Sequence, residues 1–205
     1  MRRGARARGA ARRGVRRPGA RARRRRRGRR GHGRPRLTPG ELLIRPATVA
    51  DATEIARVQT AGWRAGYAGL VDEEILAELD EAERARRWAS VLDDTDALIA
   101  QDRDGVAGFV ALAIPARGLD EPGVGEITGL YVDPPRWREG VGRALVDAAG
   151  AELRDDGCDV VVLWTFAASE DSRAFYAALG FEPDGARATH ERTGIEEIRL
   201  RARLD

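Results

Sequence analysis

The sequence predicts a mixed α/β domain over residues 41–205, a mixed β-sheet flanked by helices, and three observations carry that reading. First, the elements alternate as β-α-α-α-β-β-β-α-β-α-β-β, an order whose helical crossovers imply parallel pairing and whose hairpins imply antiparallel pairing. Second, Val160-Val161-Val162-Leu163-Trp164 is unbroken by any polar residue, as expected of a strand buried on both faces. Third, residues 127–149 change from a β-favouring run (Ile127, Leu130, Tyr131, Val132) to apolar residues at three- and four-residue spacing (Val141, Leu145, Ala148, Ala149), with Gly140 and Gly142 between.

In chain order, Leu42-Leu43-Ile44 reads as a short first strand stopped at Pro46. Thr48 is an N-cap for a helix carrying Ile55, Val58 and Trp63. Gly62, Gly66 and Gly69 are expected to break the chain around Trp63 and Tyr67. Asp72-Glu73-Glu74 places acids where a helix N-terminus favours them, ahead of Ile75, Leu76 and Leu79. A third helix follows over 81–92. Ala97–Ala100 and Val106–Ile114 flank Asp102-Arg103-Asp104-Gly105, a hairpin signal. Residues 115–123 form a Pro- and Gly-bearing loop. After the strand at 160–164, a helix begins at Ser169 or Glu170, buries Phe175, Ala178 and Leu179, and ends at Gly180. Two strands near 181–183 and 195–204 complete the sheet.

Charge divides the chain. Residues 1–40 hold 18 of the 36 basic residues and no acid, leaving 18 arginines against 33 acidic residues beyond them, a net of −15. The first 36 residues are almost wholly Arg, Gly, Ala and Pro, too poor in apolar surface to offset the entropy of ordering, so disorder is expected there. Such an arm suits phosphate contacts with nucleic acid, but has no aromatic residue for base stacking. It equally suits an inert extension from a mis-assigned start. No apolar segment follows it as in a secretory signal, and it lacks the serines of transit peptides. No run is long enough to span a bilayer. Cys158 is the only cysteine, excluding an internal disulfide, and His32 and His190 are far apart, so no metal site is expected. These features point to a soluble, cytoplasmic protein without membrane partners.

A strand, a glycine-bearing turn and a helix N-terminus together form an anion site. First-turn N–H groups lack partners, and the helix dipole favours negative charge there. Glycines at 140 and 142 leave the backbone open to a phosphate. The same glycines equally suit plain helix packing.

Tyr131-Val132-Asp133-Pro134, followed by Gly140-Val141-Gly142-Arg143-Ala144-Leu145, and the later Phe175-Tyr176 and Leu179-Gly180-Phe181, resemble the GNAT-type N-acetyltransferases over roughly residues 42–204. The resemblance implies the acyl-CoA N-acyltransferase fold with a splayed sheet, and acetyl-CoA as cosubstrate. It implies that Leu130, Tyr131 and Val132 meet the pantetheine arm through their backbone, and that N–H groups of Arg138, Glu139, Gly140, Val141, Gly142 and Arg143 hold the pyrophosphate. The chain departs from the family pattern at Trp137, Glu139 and Ser169, with Arg138 and Arg143 available to compensate. Tyr176 matches the family's thiolate acid, and Glu126 the strand-start carboxylate that takes the amine proton. An oxyanion donor is expected near Tyr131. Trp63, Tyr67, Arg117, Tyr131 and His190 fall where the family binds its acceptor.

The implied function is direct acetyl transfer to a primary amine in a ternary complex. The acceptor is a small molecule, or else a protein N-terminus or lysine. A non-catalytic coenzyme-binding protein and a nucleic-acid-associated protein acting through its arginine arm are the alternatives. Dimerisation is common in such proteins.

Overall fold

A computed structural model describes residues 41–119 and 121–205. The expectations for residues 1–40, disorder and nucleic-acid contact, lie outside the described residues. Seven strands form one sheet, in the order β1-β2-β3-β4-β5-β7-β6. These are β1 Leu43–Pro46, β2 Asp96–Asp102, β3 Gly105–Ala113, β4 Val124–Val132, β5 Val160–Phe166, β6 Glu182–Thr189 and β7 Glu196–Arg203. The helices are α1 Ala52–Gly66, α2 Glu73–Ala77, α3 Glu81–Val91, α4 Val141–Asp155 and α5 Glu170–Ala177. All neighbours pair antiparallel except β4 and β5, which the α4 crossover makes parallel.

The central strands alternate between two cores, as side chains on a strand must. Val110 and Leu112 of β3 join Leu145, Ala149 and Leu153 of α4 on one face. Phe109 and Ala111 join Ile55 and Val58 of α1 on the other. Burial on both faces explains why β2, β3 and β5 read as continuous apolar runs.

Two expectations change. Gly62 does not break α1, which runs on to Gly66. A Cβ at Gly62 would lie 3.3 Å from the Tyr131 ring, so the glycine allows α1 to pack closely on β4. That contact outweighs the roughly 1 kcal/mol that a glycine costs inside a helix. The last hairpin is also longer than expected, with β6 reaching Thr189. Its sequence, Glu-Pro-Asp-Gly-Ala-Arg-Ala-Thr, carries little strand propensity and is held by register with β7. Gly180 closes α5 at φ 84°, with Gly180 N–H donating to Ala177 and Phe181 N–H to Tyr176. Among the described residues no helix is long and apolar enough to cross a membrane, and no cluster of potential metal ligands occurs.

Thr48 caps a short 3-10 turn at Val49–Asp51 that leads into α1. Asp51 is buried and accepts from Arg45 through both guanidinium nitrogens at 2.8 Å, and from the Thr48 N–H and hydroxyl. Burial raises its pKa, but the hydrogen bonds from Arg45 and Thr48 outweigh that, and the net shift is downward. A carboxyl depressed in the folded state stabilises the fold above its unfolded pKa of about 4, and this is lost as pH falls through the folded value. Asp51→Asn is therefore expected to destabilise by about 1–3 kcal/mol at neutral pH. The difference from the parent should shrink towards pH 3, as read by denaturant unfolding at both pH values.

Candidate active site

The β4–β5 ladder ends halfway. Parallel pairs run from Val124–Val160 to Ile127–Leu163 and then stop, although both strands continue. The break coincides with a β-bulge. Ala111 opposes Gly129 while Leu112 opposes Ile127, which leaves Thr128 as the extra residue on β4. A bulge bends its strand and increases the local twist, so β4 turns away from β5 beyond it.

The divergence leaves one edge of β4 open. Asp133 N–H donates to Ala107 of β3, so by strand alternation the main-chain groups of Tyr131 also face β3. Leu130 and Val132 then turn theirs to the side β5 has left. An oxyanion donor on this edge is therefore a neighbour of Tyr131, not the Tyr131 N–H itself. The Val132 carbonyl accepts from the Trp137 indole at 2.8 Å.

Between the splayed strands lies a cavity of about 380 Å³. It brings together Glu126, Leu130, Tyr131, Tyr176, Trp63, Tyr67, Arg117 and His190, drawn from α1, β4, α5, the 115–123 loop and the β6–β7 turn. Thr128, Trp164, Phe166, Ser172 and Glu197 line it as well, and the sequence reading did not single these out. Phe166 and Glu197 are directly paired across β5 and β7, a register invisible before the strands are placed.

Glu126 is 4% exposed, and its Oε2 accepts the Arg117 N–H at 2.5 Å. Among the described residues its Oε1 has no partner. Tyr176 packs edge-on against Phe175 and Phe181, with centroids 5.1 and 5.6 Å apart, so its ring belongs to the core. Its hydroxyl has no hydrogen bond among the described residues. Burial, and next the Tyr131 phenol, push the Tyr176 pKa well above that of a free phenol, which keeps the proton in place at neutral pH. Burial likewise raises Tyr131, although the Trp63 indole donates to its hydroxyl at 2.9 Å. The Trp63 ring meets Tyr67, Phe166 and His190 at 4.9, 6.2 and 5.7 Å. Cys158 is buried just ahead of β5, and burial pushes its thiol up, which does not suit a nucleophile.

The loop from Trp137 to Arg143 lies outside this cavity, at the α4 N-terminus. Ala144 is the first residue to bond back, to the Gly140 carbonyl at 3.0 Å, leaving the earlier first-turn N–H groups without intrahelical partners. Arg138 (φ 65°) and Gly140 (φ 85°) adopt left-handed backbone there. Glu139 is held by Arg136 at 2.7 Å, and Arg136 also binds the buried Asp102, so the acid's charge is offset. Arg57 fixes the preceding turn through Asp133 at 2.6 Å. Arg138 is almost fully exposed; Arg143 reaches the Ala178 carbonyl at 3.4 Å. Val141 is buried in the core. Ser169 is buried at the start of α5, and its hydroxyl bonds that of Ser172, which lines the cavity in its place.

The two glycines act differently. A Cβ at Gly140 meets nothing within 4 Å, so that position needs glycine for its backbone angle. A Cβ at Gly142 would approach Phe175 to 3.1 Å, so the packing reading holds there as well as any phosphate role. Gly140→Ala is expected to cost about 1–2 kcal/mol from backbone strain. Gly142→Ala displaces the Phe175 ring and is expected to lower the melting temperature while changing the environment of Tyr176, as read by thermal unfolding and near-UV circular dichroism.

Residues 63–181 match the model of the acetyltransferase (GNAT) family. An uncharacterized N-acetyltransferase, YuaI of Bacillus subtilis, is 31% identical over 160 residues, covering 77% of this chain and 88% of that protein. The aminoglycoside N(6')-acetyltransferase type 1 of Stenotrophomonas maltophilia is 32% identical over 142 residues, covering 68% of this chain and 85% of that one. Several mycothiol acetyltransferases also match, and the chain spans less than half of their length. Among solved structures, the PaiA N-acetyltransferase of Thermoplasma acidophilum in complex with coenzyme A superposes with a TM-score of 0.66 at 18% identity, over 80% of this chain and 99% of that one. That likeness supports the fold.

Proposed function

The chain belongs to the GNAT acetyltransferase family and is an acyltransferase; from that premise we infer direct transfer of an acetyl group from acetyl-CoA to a small-molecule primary amine. The observation that carries this reading is the gap between β4 and β5, which joins an open strand edge to a cavity holding both Glu126 and Tyr176. The solved relative with coenzyme A bound and the relative named for aminoglycosides support the two substrates.

In this reading, the pantetheine arm of acetyl-CoA lies along the open edge of β4 and bonds to Leu130 and Val132. The Trp137 indole releases the Val132 carbonyl as the arm arrives. The pyrophosphate meets the unpartnered N–H groups at the start of α4, where the dipole favours it. The thioester then reaches the cavity from the β4 side.

The amine nitrogen attacks the thioester carbonyl and forms the C–N bond. Glu126 takes the proton that leaves nitrogen, directly or through one water, with its unpartnered Oε1 as acceptor. A main-chain N–H of the open edge stabilises the oxyanion. The C–S bond then breaks, and the Tyr176 hydroxyl protonates the departing thiolate. The amine and coenzyme occupy the site together, so no covalent enzyme intermediate forms.

Calorimetric titration with acetyl-CoA and a panel of primary amines tests the reading. Tyr176→Phe and Glu126→Gln are each expected to lower kcat roughly a hundredfold or more and to leave acetyl-CoA binding near that of the parent. Because the Tyr176 pKa is raised, kcat should hold its plateau up to about pH 10 rather than falling as an ordinary phenol ionises. Failure of the parent to bind acetyl-CoA, or unchanged kcat in both variants, would overturn it.

A further inference from the structure

Glu197 has no role in the chemistry above, yet it is built into the same cavity. It lies on β7 directly across from Phe166 of β5, and paired residues of an antiparallel ladder share a face, so the carboxylate stands beside that ring. Its side chain is only 12% exposed. Among the described residues its one ion-pair partner is the Arg117 guanidinium at 3.9 Å, itself 65% exposed and stacked 5.4 Å over the Trp164 ring. No hydrogen bond reaches the Glu197 carboxylate among the described residues. Burial is the main cause that raises the Tyr67 and Tyr131 phenols, and the Glu197 charge adds a smaller push to both.

A carboxylate largely out of water, with one loose and exposed partner, leaves room for a cation that enters the cavity to complete its pairing. The surroundings suit that ligand: Tyr67 and Phe166 present ring surface that attracts ammonium groups and excludes water, beside Trp63, whose ring already carries the Arg84 guanidinium at 5.6 Å. The basic residues nearby are already engaged. Arg199 is tied to Asp184 at 2.6 Å, Arg117 lies against Trp164, and Arg84 lies over Trp63.

The cavity thus has two carboxylates on its walls, Glu126 on β4 and Glu197 on β7, each touching a different part of Arg117. One carboxylate is enough to accept the proton of the reacting amine. We propose that Glu197 binds a second cationic nitrogen of the acceptor, so that the substrates are diamines, with one amine at Glu126 and the other against Glu197 and the aromatic wall. This rests on the acetyl-transfer reading and gives that site its substrate class.

The test compares the parent and Glu197→Gln with three acceptors of matched chain length: a linear diamine, the corresponding monoamine, and an amine bearing a carboxylate in place of the second nitrogen. The parent is expected to favour the diamine by roughly tenfold or more in kcat/KM, the size of effect expected of a charged partner. Glu197→Gln should remove that preference through KM, and leave the monoamine rate and acetyl-CoA binding unchanged. Diamine binding is also followed by calorimetry without turnover. Diamine binding that is lost in Glu197→Gln, with no acetyl transfer to any amine, would sustain a diamine site at Glu197 and overturn the acetyl-transfer reading instead. Transfer with equal rates for monoamine and diamine, a preference for the carboxylate-bearing amine, or an equal loss for all three acceptors in Glu197→Gln would overturn the proposal.

Discussion

The rest of the site depends on one broken ladder. Between Ile127–Leu163 and the ends of their strands, β4 and β5 give up the hydrogen bonds that parallel neighbours normally make. An unpaired edge in the middle of a sheet is costly unless something else satisfies it. Here the bulge at Thr128 directs the break, and the Trp137 indole covers part of it by donating to Val132. The gap could not form at a sheet edge, where no second strand would enclose it. It needs β3 on one side and β7 on the other to hold the diverging strands in place, and both ladders run the full length of the opening.

Around that opening the fold separates two tasks. The α4 end is rigid and polar in its main chain. Its loop is pinned from two sides, by Arg57 on Asp133 and by Asp102 and Glu139 on Arg136, and those ion pairs fix a turn that contains two left-handed residues. The cavity end is rigid through aromatic packing. Tyr176 is held by Phe175 and Phe181, and Tyr131 by Phe109 and the Trp63 indole. Each ring thereby contributes to the core while its polar end faces the cavity or a neighbour. A packing role for the Tyr176 ring is therefore compatible with the chemical role proposed for its hydroxyl.

The acidic character of the folded residues has a local counterpart. Most carboxylates close to the site are neutralised by arginine, as at Asp133, Asp102, Glu139 and Asp184. Glu126 and Glu197 depart from that pattern. The first is held by a main-chain N–H, and the second has, among the described residues, one loose guanidinium as its ion-pair partner. Both carboxylates stand on the wall of a cavity otherwise lined largely by aromatic rings.

Local sequence determined the elements themselves. Proline pairs, glycines, caps and apolar periodicity act within a few residues, so the β4–turn–α4 unit, the β2–β3 hairpin and the closure of α5 at Gly180 were all legible. The likeness of the motif residues pointed to Glu126, Tyr176 and the 138–143 loop, and the fold brings the first two into one cavity. What the sequence could not show was any feature that depends on two distant segments meeting. Gly62 reads as a helix breaker until Tyr131 is packed against it. Gly142 reads equally as a phosphate glycine or a packing glycine, and only the fold sets Phe175 beside it. Weak strand propensity hid the length of β6, because its register comes from β7. Glu197 is an unremarkable acid in a charged strand until the β5–β7 ladder sets it beside Phe166 and the fold withdraws it from water. Propensity and capping are local energies written in neighbouring residues, whereas desolvation and close packing arise only when the chain folds back on itself.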